Sequence, residues 1–211
     1  MNKWSKQHCL FHLFLVYLQC VKKIIIHKTM RNKYTMIACI NNNGAIAKDG
    51  KLMYNIKADM ANFKSLTIDN VVIMGRKTFE SLPNSKPLKN RINIIVTGNS
   101  EYSPVNADTW TKEELNNTYL VNTLQEADEL CFAYFDDKEL FIIGGGQIYS
   151  KAYELDMVDK AIITLVNDDA EGDVYFPDFE NDDKFKVIFK TMSLRDYTND
   201  IYYRYIVYKR K

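Results

Sequence analysis

Five short segments of this 211-residue chain combine residue types that do chemistry. In Ile56-Lys-Ala-Asp59-Met-Ala-Asn-Phe63, the apolar residues at 56, 60, 63 and 66 repeat at helical spacing and carry Asp59 on their own face. A carboxylate there is costly to bury without a partner, and such groups gather at functional sites. An early-helix carboxylate favoured by the helix dipole, or a buried cap partner, reads equally well from these residues alone. Gly75-Arg76-Lys77-Thr78 follows an apolar strand and opens a helix, so backbone amides and two cations meet at one anion-binding end. It lacks the upstream glycine of a P-loop, and a glycine turn with solvated charges is the plainer reading.

Phe141-Ile-Ile-Gly144-Gly145-Gly146-Gln147-Ile148-Tyr149 runs a strand through three glycines into a helix. Glycines let a backbone approach a ligand closely, although this triplet does not fit GxGxxG and also suits a tight strand–helix junction. Two such junctions in one α/β chain point to a dinucleotide, whose phosphates are separated. Arg91 opens the apolar strand Arg91–Thr97 and is suited to clamp a carboxylate, or to cap and salt-bridge locally. Thr164, in Ile162-Ile-Thr-Leu-Val166, has a hydroxyl able to orient a buried carboxylate, or is simply a good strand former.

Composition narrows the class. With 46% hydrophobic and 26% charged residues, the chain is neither collagen-like, disordered nor a disulfide scaffold. The net charge of +1 gives no electrostatic footprint for nucleic acid or an anionic membrane. Cys9, Cys20, Cys39 and Cys131 form no CxxC or zinc-like spacing and read as reduced thiols of a cytosolic protein. His8, His12 and His27 all precede Lys28, so the main body has no imidazole for Ser–His or Cys–His catalysis, and no metal site is expected. Only six arginines accompany twenty-two lysines, which makes the positions of Arg76 and Arg91 more informative.

Positioning these groups falls to alternating strands and helices. Strands are expected at 34–40, 71–74, 91–97, 119–121 and 140–143, then at 158–166, 185–192 and 201–209. Helices are expected at 56–66, 76–82, 124–135 and 147–155, with a polar loop from Asn41 to Asn55. That order implies an α/β fold with a mostly parallel sheet covered on both faces and an antiparallel hairpin at its C-terminal end. Residues 1–33 form a separate N-terminal extension ahead of a domain at 34–211. The extension's apolar run, Cys9–Leu18, is shorter than the roughly 20 residues a bilayer needs. It reads as a dispensable or mis-assigned leader with Met30 or Met36 as the start, as a packed or disordered extension, or as a targeting segment.

Taken in order, MIACINNNGAIAKDG, IKADMANFK, VVIMGRKTFESL, NRINIIVT, FIIGGGQIY and ITLVNDDAEGDVYFPDF resemble dihydrofolate reductase over roughly Met36–Lys209. The resemblance implies a central, mostly parallel eight-stranded sheet with flanking helices. It also implies a cytoplasmic, monomeric, NADPH-dependent oxidoreductase that binds dihydrofolate and antifolates and supplies tetrahydrofolate for one-carbon metabolism. By position, Asp59 matches the acidic residue that holds the pterin 2-amino group and N3, with Thr164 supporting it. Ile37, Phe63 and Ile143 match the walls around the rings, with Leu82 and Leu88 further out. Arg91 matches the arginine that binds the α-carboxylate of the glutamate tail. On the cofactor side, Ala38, Cys39 and Ile46 match the positions flanking the nicotinamide. Gly75, Arg76, Lys77 and Thr78, assisted by Thr97, match the adenosine-phosphate end, and Gly144, Gly145, Gly146, Gln147, Ile148 and Tyr149 the second phosphate turn, where the family has a cis Gly–Gly peptide.

Three departures stand out. The family's Leu/Met-Pro-Trp before the helix is Leu52-Met53-Tyr54, so the missing proline should loosen the lid and Tyr54 must take over the tryptophan's contacts. The lid glycine is Ala47. Gln147 stands where a second arginine sometimes serves the 2′-phosphate, which leaves Arg76 to discriminate NADPH from NADH. A riboflavin-pathway reductase of the same fold and a non-catalytic nucleotide-binding homologue are the alternative readings.

Overall fold

The computed structural model describes residues 34–211; the expectations for 1–33 fall outside the described residues. The first elements are β1 (Tyr34–Asn41), β2 (Ala45–Lys48), β3 (Lys51–Leu52), α1 (Lys57–Thr67), β4 (Val71–Gly75) and α2 (Arg76–Glu80). β5 (Ile92–Val96), α3 (Lys112–Asn116), β6 (Thr118–Val121), α4 (Leu124–Tyr134), β7 (Leu140–Gly144) and α5 (Gly146–Glu154) follow. The chain closes with β8 (Val158–Val166), β9 (Val174–Tyr175), β10 (Phe185–Lys190), β11 (Leu194–Asp196) and β12 (Ile201–Arg210).

The main sheet has the order β10-β12-β8-β1-β7-β4-β5-β6, with β11 added beside β12. From β8 to β6 every pairing is parallel, whereas β12 runs antiparallel to both β8 and β10. The expected eight-stranded path is present, and β11 makes the sheet nine-stranded. Successive strand residues alternate between two apolar layers, because side chains on a strand point to opposite faces. Met36, Val71, Ile73, Ile94 and Ile142 enter one layer. Ile37, Val72, Met74, Ile95 and Phe141 enter the other. Burial on both faces is what makes these strands continuous apolar runs, each large side chain contributing about 1.5–3 kcal/mol.

After β4 the chain steps outward to β5 and β6, then returns to insert β7 between β1 and β4. The strand order therefore reverses around β7. In open α/β sheets ligands bind outside the carboxyl ends of the strands at such a point. Here those ends carry Cys39, Gly75 and Gly144.

Several elements differ from expectation. The Asn41–Asn55 loop contains the hairpin β2–β3, which joins β9 in a second, three-stranded sheet. Asp49 and Gly50 both have positive φ, the backbone of a two-residue hairpin turn. Helix α3 was not expected; Thr111 and Glu114 form a reciprocal capping box at its start. Ile56 is the N-cap of α1 rather than its first helical residue. Met60, expected on the apolar face beside Asp59, is 49% exposed, because the apolar stripe of α1 is carried by Phe63 and Leu66 instead.

Candidate active site

Asp59 lies in the first turn of α1, half-buried, one helical turn before Phe63. The Thr164 hydroxyl, buried in β8, donates to Asp59 Oδ1. Burial pushes the Asp59 carboxyl above the ordinary carboxylate range, and the Thr164 hydrogen bond partly offsets this. Cys39 lies opposite Thr164 on β1, and Tyr205 opposite it on β12. Burial and the neighbouring Asp59 keep the Cys39 thiol protonated. Asp59 is thus an acceptor with Oδ2 and one lone pair of Oδ1 still free for a donor pair on a ligand.

An apolar wall adjoins this carboxylate. Ile37 belongs to a buried cluster against which Phe63, Leu82, Leu88 and Ile143 all pack. The structure therefore brings together the five residues expected around the rings. At its edge Arg91 is buried, with Nε donating to Thr67 Oγ1 at 3.0 Å, Nη1 to Lys89 O at 2.7 Å and Nη2 to Lys64 O at 3.2 Å. These acceptors are neutral, so the cation is held in place by α1 and its own loop; among the described residues no carboxylate pairs with it directly, although Asp69 acts on its charge from nearby.

The two glycine junctions meet because β4 and β7 are adjacent, with Met74 opposite Gly144. A Cβ at Gly145 would stand 3.0 Å from Thr78 Oγ1, and one at Gly75 would stand 3.1 Å from Ile148 Cγ1. A Cβ at Gly146 would collide with Val174 Cγ1 at 2.6 Å, so that position tolerates no side chain without a shift. The Gly144–Gly145 peptide is cis. Gln147 and Lys77 are exposed at the helix starts. Arg76 Nη1 contacts both oxygens of Glu80 at 3.0 Å, and its guanidinium lies 5.7 Å from the centroid of the Tyr102 ring. Thr97 is buried beyond β5 and accepts from Asn99 N through its hydroxyl. Tyr149 is buried, and its hydroxyl donates to Ile37 O at 2.6 Å, tying α5 to β1. Ala38 and Ile46 pack in the apolar layer that contains Tyr149.

The lid region departs most from expectation. Leu52 is 66% exposed on β3, away from the pocket wall. Met53 N donates to Ile46 O at 3.1 Å, a bond that a proline at 53 cannot make. The residue at the place of the proline therefore adds one hydrogen bond within the lid. Tyr54 Oη donates to Asp168 Oδ2 at 2.5 Å, so its polar contact runs to the loop after β8 and not to Asp59. Asp173 N donates to Ala47 O at 2.9 Å, and Asp49 N to Asp173 Oδ2 at 2.8 Å. Reading the sequence alone missed Asp168, Asp173 and Glu80. Glu80 was legible as the i+4 partner of Arg76; the two aspartates are not, because only the fold brings them to the lid.

Fold and site together define an α/β domain built to hold a planar polar ring beside a nucleotide. A family model described as dihydrofolate reductase matches residues 33–210, and the chain belongs to that family. The dihydrofolate reductase of Bacillus subtilis (strain 168) is 30% identical over 177 residues, covering 84% of this chain and 94% of its own. That of Neisseria gonorrhoeae is 36% identical over 148 residues, covering 70% and 81%. A solved structure of dihydrofolate reductase from Enterococcus faecalis, complexed with NADP(H) and RAB-propyl, superposes with a TM-score of 0.68 at 25% identity, covering 86% of this chain and 98% of that one.

Proposed function

We propose that this chain reduces 7,8-dihydrofolate to 5,6,7,8-tetrahydrofolate with NADPH. The observation that carries this reading is the half-buried Asp59, held by Thr164 beside the wall of Ile37, Phe63 and Ile143. Its free lone pairs accept the 2-amino and N3 hydrogens of the pterin, fixing the ring and drawing electron density from it. The apolar wall takes the ring faces. Arg91, preorganised by three neutral acceptors, binds the α-carboxylate of the glutamate tail. NADPH, when bound, supplies hydride from nicotinamide C4 to pterin C6.

The cofactor's phosphate end is assigned to the glycine junction, where Gly145 and Gly146 let the start of α5 approach Thr78 and Val174 more closely than any side chain would allow. The Gly146 and Gln147 amides precede the first bond of α5, from Ile148 N to Gly145 O at 2.9 Å, and so stand at the helix's positive end. Arg76, Lys77 and Thr78 serve the adenosine-phosphate end, aided by Thr97 and Gln147. Ala38, Cys39 and Ile46 flank the nicotinamide. Water delivers the proton to N5 while the lid, the loop Asn41–Asn55, excludes bulk solvent. The near-neutral charge offers no electrostatic footprint for nucleic acid or an anionic membrane; the family resemblance implies a cytoplasmic monomer, with antifolates competing for the pterin pocket.

Purified protein, dihydrofolate and NADPH test this by absorbance at 340 nm. The expected result is oxidation that requires dihydrofolate, is slower with NADH and stops with methotrexate. Oxidation of NADPH that ignores dihydrofolate, or no oxidation at all, would overturn the assignment.

A further inference from the structure

Asp168 lies two residues beyond β8 and contacts both ends of the lid. At the first end, where the chain leaves β1, Asn42 N donates to Asp168 O at 3.0 Å. At the second, where the chain enters α1, Tyr54 Oη donates to its carboxylate at 2.5 Å. The Tyr54 ring packs on Ile56, Val166 and Tyr203, a small cluster distinct from the two layers of the main core. Ile56 is the N-cap of α1, and no side chain caps that helix end. The entry of α1 is held by this cluster, by the Tyr54 hydroxyl, by Asn199 Nδ2 donating to Asn55 O at 3.0 Å and by the Met53 bond to Ile46 O; of these, the Tyr54 bond is the one made to Asp168. Asp59 sits five residues after Tyr54 in the first turn. Asp168 in turn follows the end of β8, the strand that carries Thr164, whose hydroxyl donates to Asp59.

We propose that Asp168 is a positioning residue of the reaction: by clamping residues 42 and 54 together it sets the start of α1 and so the aim of Asp59 at its ligand. The clamp works through the Tyr54 phenol, which burial and the Asp168 carboxylate keep protonated and donating. Asn42 Nδ2 also bonds Asp169 Oδ1 at 3.0 Å, and Asn43 Nδ2 bonds Asp169 O at 2.8 Å, so the first lid end retains other ties when the Asp168 side chain is removed. Loss of the Asp168 carboxylate thus releases the Tyr54 end selectively. The inference rests on the reductase reading above, because it concerns the aim of Asp59 at the pterin.

The test compares Asp168→Ala, Asp168→Asn, Tyr54→Phe and the Asp168→Ala/Tyr54→Phe double variant in NADPH- and dihydrofolate-dependent turnover, with thermal unfolding of each. Asp168→Ala and Tyr54→Phe should each lower kcat about tenfold, the equivalent of one hydrogen bond to a charged acceptor, with the dihydrofolate KM changed less than about twofold. The double variant should be no slower than either single one, since both remove the same bond. Asp168→Asn, whose carbonyl still accepts from Tyr54, should recover most of the loss. An unchanged kcat in Asp168→Ala, additive losses in the double variant, a loss confined to KM, or a loss that merely follows unfolding without rescue by Asn would each overturn the proposal. If the wild-type enzyme shows no dihydrofolate-dependent oxidation, the reductase reading fails; if it turns over normally and Asp168→Ala matches it, only this inference fails.

Discussion

Replacing Asp59 by Asn separates function from stability with opposite signs. In the wild type, Thr164 occupies one lone pair of Oδ1 and the remaining acceptor sites face the ligand. An asparagine keeps the Thr164 bond by offering its carbonyl oxygen, but then turns its NH2 group toward the 2-amino and N3 donors of the pterin. Two charge-assisted bonds are lost, and a donor faces donors. At about 1.5–3 kcal/mol for each bond to a charged group, the barrier rises by about 3–4 kcal/mol or more, a loss of about 10²–10³-fold.

Stability moves the other way. Burial raises the folded-state pKa of Asp59 above its unfolded value, so the folded protein binds a proton more readily than the unfolded chain. That preference favours folding below the unfolded pKa and is lost as pH rises through the folded pKa, leaving a half-buried charge that opposes folding at neutral pH. Asp59→Asn carries no such charge. Its unfolding temperature at pH 8 should equal or exceed that of the wild type, and the difference should shrink as pH falls through the Asp59 pKa. Steady-state rates at pH 7 and calorimetric scans from pH 4 to 8 check both halves. Turnover within tenfold of wild type, or a variant less stable at pH 8 than at pH 4 relative to wild type, would refute the reasoning.

Thr164→Val removes the hydrogen bond that lowers the Asp59 pKa, so the acidic limb of the pH–kcat/KM profile should move to higher pH and neutral-pH turnover should fall about tenfold; a limb that stays put or moves down contradicts this. Glu80→Gln frees Arg76 from an i,i+4 pair whose side chains are 37% and 35% exposed. Such a pair is worth about 0.3–0.5 kcal/mol, so the KM for NADPH should drop about twofold, which initial-rate kinetics will detect. A chain beginning at Met30 retains all of β1 and should unfold at the same temperature as the full chain. One beginning at Met36 loses Tyr34, which is 2% exposed and donates to Asp128 Oδ1 at 2.8 Å, and should be less stable by about 3 kcal/mol or more in urea titration.

The parts legible in the sequence were those written in one continuous run. β8 was expected at its observed bounds, Val158–Val166, because Ala161–Val166 is apolar but for Thr164 and a turn signal closes it. The glycine junctions were visible as strand–glycine–helix transitions, although only the insertion of β7 beside β4 makes them one cradle. Elements of two to five residues escaped. β2–β3 was announced by Asp49-Gly50, but the flanking strands are too short to show a period, and their partner β9 lies more than a hundred residues away. α3 was announced by Thr111-Lys-Glu-Glu114, a capping-box spacing on a helix of only five residues. Proline at a loop end suggests rigidity, and Met53 stands there with an N–H in its place. The structure shows what the extra N–H does, and no local pattern predicts its acceptor, Ile46 O.

The central claim is hydride transfer to dihydrofolate in the pocket beside Asp59. Its most direct test is a single-turnover reaction with NADPH deuterated at nicotinamide C4, comparing wild type with Asp59→Asn. The label should appear at C6 of the tetrahydrofolate product, with a primary isotope effect on the observed rate in the variant, whose chemical step is slowed. Tetrahydrofolate that carries no deuterium at C6, or NADPH consumption without labelled product, would contradict the mechanism.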